Sequence, residues 1–316
     1  MIRTAGAATG ATGTAAPFGE RDYVARWLVI AVIAIVAAAG VAACGVAVDL
    51  RSAWVTAGPL VLLMMMFRVY RRLGQAWPPA RFGSDVCVDA IDSLVQVTVA
   101  LQIVVVLSYL AARVGSVLPL RDAALARIDA ALLGFEWDRA ARWVASRPVL
   151  SSVLDSAYFS LRLQALVLII ISSIVRTGSR NGELVWLTLV AALLTVLVFV
   201  ATPAMGKVGH LGPAYGATLT SIRAGTWTRF DYAEAQGIVT FPSFHTAMGL
   251  IYVYVAGRLR RWLLVVFVPL NAAMIIAVVP IGGHYLVDAL GGAAVAALSV
   301  AVVRCGAGGA ANPAGT

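Results

Sequence analysis

The chain has 316 residues, of which 61% are apolar and only 12% are charged, and its mean hydropathy is +0.89. This composition excludes an ordinary soluble globular domain and predicts an integral membrane protein. The net charge of +9 comes from arginines and the single Lys207. In a membrane protein, orientation and contact with lipid headgroups explain such a charge better than binding of nucleic acid.

Apolar runs of about twenty residues recur along the chain, which is the length that a helix needs to cross the hydrocarbon core of a bilayer. The candidate membrane helices are 27–48, 53–67, 94–112, 149–175, 184–201, 243–257, 262–279 and 285–303. The second is short, and the sequence leaves open whether it crosses fully. We therefore expect an all-α, polytopic transmembrane bundle of about eight helices in one membrane-embedded domain. That domain spans 24–303, between a disordered Ala/Gly/Thr-rich tail over 1–23 and a C-terminal tail over 304–316.

One segment between the third and fourth runs, 117–147, has a helical periodicity of its own. The apolar stripe consists of Leu125, Ile128, Leu132 and Phe135, and the other positions carry Arg121, Asp122, Arg127, Asp129 and Arg139. An amphipathic pattern of this kind is typical of a helix that lies in the membrane interface. We therefore predict an interfacial amphipathic helix here.

The distribution of positive charge predicts the orientation in the membrane. If eight runs cross, thirteen arginines share the side of the N-terminus, against ten Lys and Arg residues on the other side. Six of those ten run from Arg113 to Arg147 and accompany the interfacial segment, so the short loops divide thirteen to four. Because positive short loops stay in the cytoplasm, we expect the loops with His245 and His284 to face outward. The predicted location is a bacterial-type inner membrane or plasma membrane, with the site on the extracytoplasmic face.

The stretch "TFPSFHTAMG" marks the start of the sixth run, after a Gly-, Pro- and aromatic-rich loop over 202–243. Pro242 followed by Ser243 is a favourable helix start, because Pro lacks a donor that the first turn does not need and Ser can cap a free amide. His245 then lies in the first turn. The free amides and the helix dipole at such a start favour an anion, above all a phosphate.

The stretch "IGGHYLVDALGG" at the start of the last run carries the second candidate group. His284 and Asp288 are four residues apart, so the carboxylate can hold one ring nitrogen and aim the other outward as a nucleophile or base. The helix from Ser243, a short turn and a helix back return His284 to the face of His245. We predict that the two histidines form a catalytic pair. A zinc site is the lesser alternative, because the spacing lacks the close ligands of the usual motifs.

The sequences "FPSFH" and "GGHYLVD" resemble the second and third motifs of the type 2 phosphatidic acid phosphatase superfamily, in the variant typical of inositol phosphorylceramide synthases. The resemblance implies a six-helix catalytic core, a phosphohistidine mechanism and no obligatory metal or other cofactor. It further implies that His284 is the nucleophile, that Asp288 orients it, and that His245 protonates the leaving oxygen. Ser243 matches a phosphate-binding position.

Two cationic positions of the superfamily are not met in this chain. The Arg-Pro of the first motif, counted from Lys207, falls on Ala214 and Tyr215, and the Ser-Arg of the third motif falls on Ala277 and Val278. A phosphate approaching its transition state still needs positive charge. We therefore predict that Lys207 and Arg223, both in the loop before "FPSFH", bind the substrate phosphate; headgroup contact is the alternative for both.

Other polar residues carry weaker expectations. The spacing of Asp155, Tyr158 and Arg162 puts them on one face of the fourth helix, where a structural contact between Asp155 and Arg162 is the default and a grip on the substrate headgroup is the second possibility. We expect Asp89 and Asp92 to be interfacial. His210 matches no motif and is interpreted as a loop residue.

These features predict a membrane enzyme, either a lipid phosphate phosphatase or a phosphotransferase that carries a phosphoryl headgroup between a lipid and a polyol. Its expected partners are membrane lipids, a lipid phosphate or phospholipid substrate and a polyol acceptor, without nucleic acid. The alternative is a lipid-binding or transport scaffold whose histidines only bind headgroups. The retained His/Asp pair favours the enzyme, because a scaffold needs cations at a phosphate site more than it needs an oriented histidine.

Overall fold

The computed structural model describes residues 20–73, 78–134, 136–175, 179–207 and 213–310. The helices of the first half are α1 (Glu20–Ala43), α2 (Leu50–Leu73), α3 (Pro78–Val114), α4 (Asp122–Leu133), α5 (Trp137–Ala145) and α6 (Pro148–Phe159). The helices of the second half are α7 (Leu161–Ile174), α8 (Ser179–Ala201), α9 (Pro213–Ala224), α10 (Phe244–Leu259), α11 (Leu264–Val278) and α12 (Leu286–Ala310). Single 3-10 turns occupy Gly115–Val117 and Arg261–Leu263. The predicted all-α helical bundle is confirmed. His210 lies outside the described residues.

Within the described part of the chain, five helical segments are long and apolar enough to cross a bilayer. They are Asp22–Ala43, Val86–Val117, Asn181–Ala201, Arg261–Val278 and Leu286–Ala307. Helices α6 and α7, bent by 49° relative to each other, bring the number to six if the pair is counted as one broken span and not as a re-entrant loop. Helix α10 has 16 residues, and the apolar part of α2 covers only Ala57–Val69. These two shorter helices account for the difference from the eight predicted runs.

Helix α3 begins at Pro78, sixteen residues before the predicted start at Leu94. The helix therefore includes Asp89 and Asp92, which were expected from the sequence to be interfacial. Asp89 accepts hydrogen bonds from the Ser173 hydroxyl and the Asn181 side-chain amide, both at 2.8 Å. Asp92 forms an ion pair with Arg68 at 2.6 Å. Carboxylates with such partners can continue a helix into the bundle, since their desolvation is offset by hydrogen bonds.

The predicted fourth helix is divided at Ser160, between α6 and α7. The Ser160 hydroxyl donates to the carbonyl of Ala157 at 2.7 Å, and the side chain of Gln164 donates to Ser160 at 2.9 Å. Serine hydroxyls that bond back to the helix backbone favour bends. The bend changes the directions in which residues on either side of it point.

The packing places α10 beside the other helices that shape the site. It contacts α7, α8, α11 and α12, while α6 packs against α11. The loops after α1 and α9 are joined by a two-stranded parallel sheet of β1 (Ala47–Asp49) and β2 (Arg229–Asp231), in which Val48 pairs with Phe230. The loop predicted to be irregular therefore contains α9 and β2. Helix α12 continues to Ala310, beyond the predicted end at Val303.

Candidate active site

The starts of α10 and α12 lie side by side at one end of the bundle. Ser243 is fully buried and caps α10, as predicted, with its hydroxyl accepting from the amide of Thr246 at 3.3 Å. The amide of Ser243 donates to the carbonyl of Asp288 at 2.9 Å and so joins the two helix starts. A side chain on Gly292 would meet the carbonyl of Ser243 and lie 2.8 Å from Cβ of Thr246. Only glycine at this position allows such a close approach.

The His284–Asp288 contact is formed in the structure, although by a different geometry from the one predicted. His284 lies two residues before α12 and not on its face. Asp288, in the first turn, reaches back: its Oδ2 lies 3.1 Å from Nδ1 of His284 and accepts from the amide of Tyr285 at 2.9 Å. Asp288 is fully buried and His284 is 5% exposed. A carboxylate on Nδ1 leaves Nε2 as the nitrogen for chemistry.

His245 stacks on Tyr158, an arrangement that sequence reasoning did not foresee. The two ring centroids are 4.2 Å apart and the planes differ by 10°. The Tyr158 hydroxyl lies 3.4 Å from Nδ1 of His245, a long contact for a hydrogen bond. Tyr158 comes from the last turn of α6, so it reaches α10 only through the tertiary fold.

The two histidines share one neighbourhood, because the Tyr158 ring that stacks on His245 also lies beside Gly282, next to His284. Gly282 lies beside the rings of Tyr158 and His284: a Cβ atom there would be 2.9 Å from Cε2 of Tyr158 and 3.0 Å from Cδ2 of His284. The absence of a side chain at this position lets the Tyr158 ring and the His284 ring approach from both sides. The structure thus brings His245, His284 and Asp288 together.

Lys207 lies next to the loop that carries His284. Its amide donates to the carbonyl of Gly283 at 2.9 Å. Its ammonium lies 3.9 Å from the Asp138 carboxylate and above the rings of Trp137 and Tyr285, at 5.3 Å and 5.7 Å from their centroids. The side chain is 28% exposed, so the ammonium can still meet a ligand from outside.

Arg223 is placed differently from the predicted phosphate-binding cation. Its guanidinium donates to the carbonyls of Gly115, Ser116 and Leu118 at 3.1, 3.3 and 2.7 Å. These carbonyls follow the C-terminal end of α3, where a cation stabilises both the free acceptors and the helix dipole. The contacts favour a structural role for Arg223, and they do not bring it to the two histidines.

The segment containing α4 contributes two carboxylates that sequence reasoning assigned to a solvated helix face. Asp129 is 2% exposed and accepts from the amides of Leu286 and Val287, the first two residues of α12. Asp122 accepts from the amides of Met205 and Gly206. Of the predicted apolar stripe, Leu125 is buried and Ile128 and Leu132 are exposed, while Phe135 lies outside the described residues.

Tyr285 stands between these carboxylates and Lys207. Its hydroxyl donates to Oδ1 of Asp122 at 3.2 Å. Burial, followed by the charge of Asp122, raises the pKa of the Tyr285 hydroxyl well above its usual value. The hydroxyl therefore stays protonated at neutral pH and remains a donor to Asp122.

The remaining polar predictions have mixed outcomes. Asp155 and Arg162 are exposed, and no ion pair joins them in the described part of the chain. Ala277 and Val278, which occupy the Ser-Arg positions of the third motif, are completely buried, so no charge enters the site from there. Across the described ranges, no group of three or more His, Cys, Asp or Glu residues is arranged to hold a metal ion.

Together, these observations define a helical membrane protein in which a His–Asp pair and a second histidine meet at the starts of two adjacent helices. Residues 123–302, more than half of the chain, match the family model of the PAP2 superfamily, and the chain belongs to this superfamily. Its members are phosphatases and phosphotransferases. No curated protein and no solved structure matches the chain.

Proposed function

We propose that the protein transfers a phosphoryl-containing group from a membrane lipid to Nε2 of His284 and then to water or an alcohol. In the first step the Nε2–P bond forms, the P–O bond to the leaving group breaks, and His245 gives its proton to the departing oxygen. In the second step His245 takes a proton from the incoming water or alcohol as its oxygen attacks phosphorus and the N–P bond breaks. The observation that carries the proposal is the Asp288 carboxylate on Nδ1 of His284, with a second histidine in the same neighbourhood.

The phosphate is proposed to bind at the start of α10. The first amides of α12 are occupied, because Asp288 accepts from Tyr285 and Asp129 accepts from Leu286 and Val287. Ser243 caps α10 at Thr246, which leaves the amides of Phe244 and His245 to face an anion. This placement agrees with the phosphate-binding role proposed for Ser243, here through the backbone that follows it.

Positive charge for the bound phosphate is proposed to come from Lys207 and Arg162. Lys207 is tied by its backbone to Gly283, one residue before the nucleophile. Arg162 is exposed and lies one turn beyond Tyr158, across the helix bend, and Tyr158 stacks on His245. Arg223, which the sequence also predicted to bind the phosphate, is left out of this proposal because its guanidinium binds three backbone carbonyls.

The substrate is proposed to be a lipid phosphate or phospholipid that approaches from the extracytoplasmic leaflet. The arginine asymmetry of the short loops supports this orientation. Similarity of the "FPSFH" and "GGHYLVD" motifs to those of inositol phosphorylceramide synthases favours transfer to a polyol over hydrolysis. The phosphorus chemistry proposed for the two histidines is the same in either case, and only the acceptor differs.

The deciding experiment traps the covalent intermediate. Purified protein is incubated with a panel of ³²P-labelled lipid phosphates, polyprenyl pyrophosphate and phospholipids, then quenched and tested for acid-labile, base-stable label on the protein. We expect label in the wild type and none in His284→Ala, with His210→Ala as a matched control because it changes the third histidine of the chain. Absence of label and of product with every substrate would favour the lipid-binding scaffold.

The two histidines should fail differently. Loss of a general acid typically costs about a hundredfold to ten-thousandfold in rate. A p-nitrophenyl phosphate ester, whose leaving group needs no protonation, should restore phosphoenzyme formation in His245→Ala but not in His284→Ala. Equal restoration in both variants would contradict the assignment of the nucleophile. Product analysis with and without inositol or other polyols then shows whether label ends in free phosphate or in a new phosphodiester.

A further inference from the structure

Asp129 uses both of its carboxylate oxygens on the backbone that follows the proposed nucleophile. Oδ2 accepts from the amide of Leu286 at 2.7 Å, and Oδ1 accepts from the amide of Val287 at 2.8 Å. These bonds satisfy two of the four amides that a helix start leaves without an intrahelical partner. The carboxylate comes from α4, more than 150 residues earlier in the chain, and its burial excludes water from the contact.

A second carboxylate of α4, Asp122, binds the chain before Lys207 and the residue after His284. Asp122, seven residues before Asp129, binds the amide of Gly206 at 2.8 Å and the hydroxyl of Tyr285 at 3.2 Å. Between the two carboxylates, Leu125 packs against Ala204 and Tyr285 in a small buried cluster. Helix α4 therefore holds the chain immediately before Lys207 and the residues immediately after His284.

We infer that Asp129 is a positioning residue for the phosphoryl transfer, an inference that rests on the proposed function of His284. Asp129 holds the start of α12, and through it Asp288 and the His284 ring, in the geometry required for attack on phosphorus. It also occupies the amides of Leu286 and Val287, which keeps the substrate phosphate from binding on the wrong helix start. A displacement of about 1 Å at a reacting group can lower the rate by about a hundredfold.

Three variants of the full-length protein in detergent test this role. Asp129→Asn keeps the shape but replaces one acceptor oxygen with an amide NH2 group, a donor that faces a backbone donor. Asp129→Glu keeps the charge and both acceptors on a longer side chain. Glu136→Gln is the matched control, because Glu136 is an exposed carboxylate of the same segment and makes no side-chain cap hydrogen bond.

We expect kcat with a lipid phosphate to fall about tenfold to a hundredfold in Asp129→Asn. KM should change much less, because the proposed phosphate contacts lie on α10 and Lys207. Asp129→Glu should recover part of kcat, and Glu136→Gln should match the wild type. Hydrogen exchange of the peptide covering 284–290, followed by mass spectrometry, should rise by about fivefold or more in Asp129→Asn only.

Two results would overturn the inference: unchanged kcat in Asp129→Asn, or unchanged exchange in 284–290 despite a lower kcat. If Asp129→Asn is not monodisperse, the same two measurements on Asp129→Glu decide, with wild-type kcat and exchange counting against the role. Failure of the proposed function is recognised separately. It would appear as a lack of phosphoenzyme in the wild type, whereas the exchange measurement reports on Asp129 whether or not the protein is active.

Discussion

Two substitutions of Tyr158, one that removes only the hydroxyl and one that removes the whole ring, should show how this residue supports His245. Tyr158→Phe deletes the hydroxyl but keeps the ring that stacks on the imidazole at 4.2 Å. The hydroxyl lies 3.4 Å from Nδ1, beyond the usual hydrogen-bond distance, so we expect it to contribute only about 0.5 kcal/mol. Turnover of a lipid phosphate should therefore fall by no more than about threefold in this variant.

Tyr158→Ala removes the stacked ring as well. An aromatic pair contributes about 0.5–1.5 kcal/mol, and the space left beside Gly282 also frees the imidazole to rotate away from the leaving oxygen. Misplacement of a proton donor is more damaging than loss of the contact itself, so we expect a fall of about tenfold to a hundredfold in turnover.

The assay compares two substrates under single-turnover conditions, a lipid phosphate and a p-nitrophenyl phosphate ester. Since Tyr158 contacts His245, the proposed general acid, Tyr158→Ala should slow phosphoenzyme formation from the lipid but leave formation from the nitrophenyl ester within about threefold of wild type. An equal loss with both substrates would mean that the ring supports the fold or the nucleophile instead. A loss in Tyr158→Phe as large as that in Tyr158→Ala would refute the assignment of the main effect to stacking.

Three further predictions concern Lys207, Arg223 and the orientation of the outer loop. Lys207→Ala should raise KM for lipid phosphates about tenfold or more, because a charge-assisted hydrogen bond contributes about 1.5–3 kcal/mol, and Lys207→Arg should recover part of the loss. An unchanged KM would remove Lys207 from the phosphate site. Arg223→Ala should lower the free energy of unfolding by about 2 kcal/mol and leave KM near wild type, because the guanidinium of Arg223 binds backbone carbonyls. A raised KM at unchanged thermal stability would restore Arg223 as a phosphate-binding residue. Thr226→Cys, with Cys44, Cys87 and Cys305 replaced by Ser, should react with an impermeant thiol reagent in intact cells, since Thr226 is exposed in a loop that we predict to face outward. Labelling only after lysis would reverse the topology.

Hydropathy predicted the helical bundle because burial in a bilayer demands long apolar runs whatever their tertiary partners are. The start of α3 and the bend at Ser160 were not predictable in this way. Asp89 looks interfacial in isolation, and only its contacts with Ser173 and Asn181, from the later helices α7 and α8, make it a helix residue. Those partners lie more than 80 residues away in sequence, where a local pattern carries no information.

The same distinction separates the parts of the site that could be predicted from those that could not. The contact of His284 with Asp288 and the Ser243 cap depend on neighbours within four residues, so their spacing was informative. The stack of Tyr158 on His245 and the bonds of Asp129 join distant segments, so composition and spacing could not show them. One local signal was available for α4: two aspartates seven residues apart with a leucine between them form one face, which suggests docking on polar backbone.

The distribution of charge across the two helix starts suggests why the site can function without the cations expected in its motifs. In the proposed mechanism, attack on phosphorus places positive charge on the His284 ring. The α12 side carries two carboxylates, Asp288 on that ring and Asp129 on the first amides of the helix, and negative charge on this side favours a developing imidazolium. The phosphate needs the opposite field, and the α10 side has a helix start without a nearby carboxylate cap, since its cap is the neutral Ser243. Carboxylates at the start of α10 instead of α12 would repel the phosphate and would no longer stabilise the His284 imidazolium. We therefore propose that the carboxylates supplied by α4 and α12 divide the site into a side that holds the nucleophile and a side that holds the anion. With this division, a single lysine near Gly283, supported by Arg162, is sufficient where the superfamily pattern has more cations.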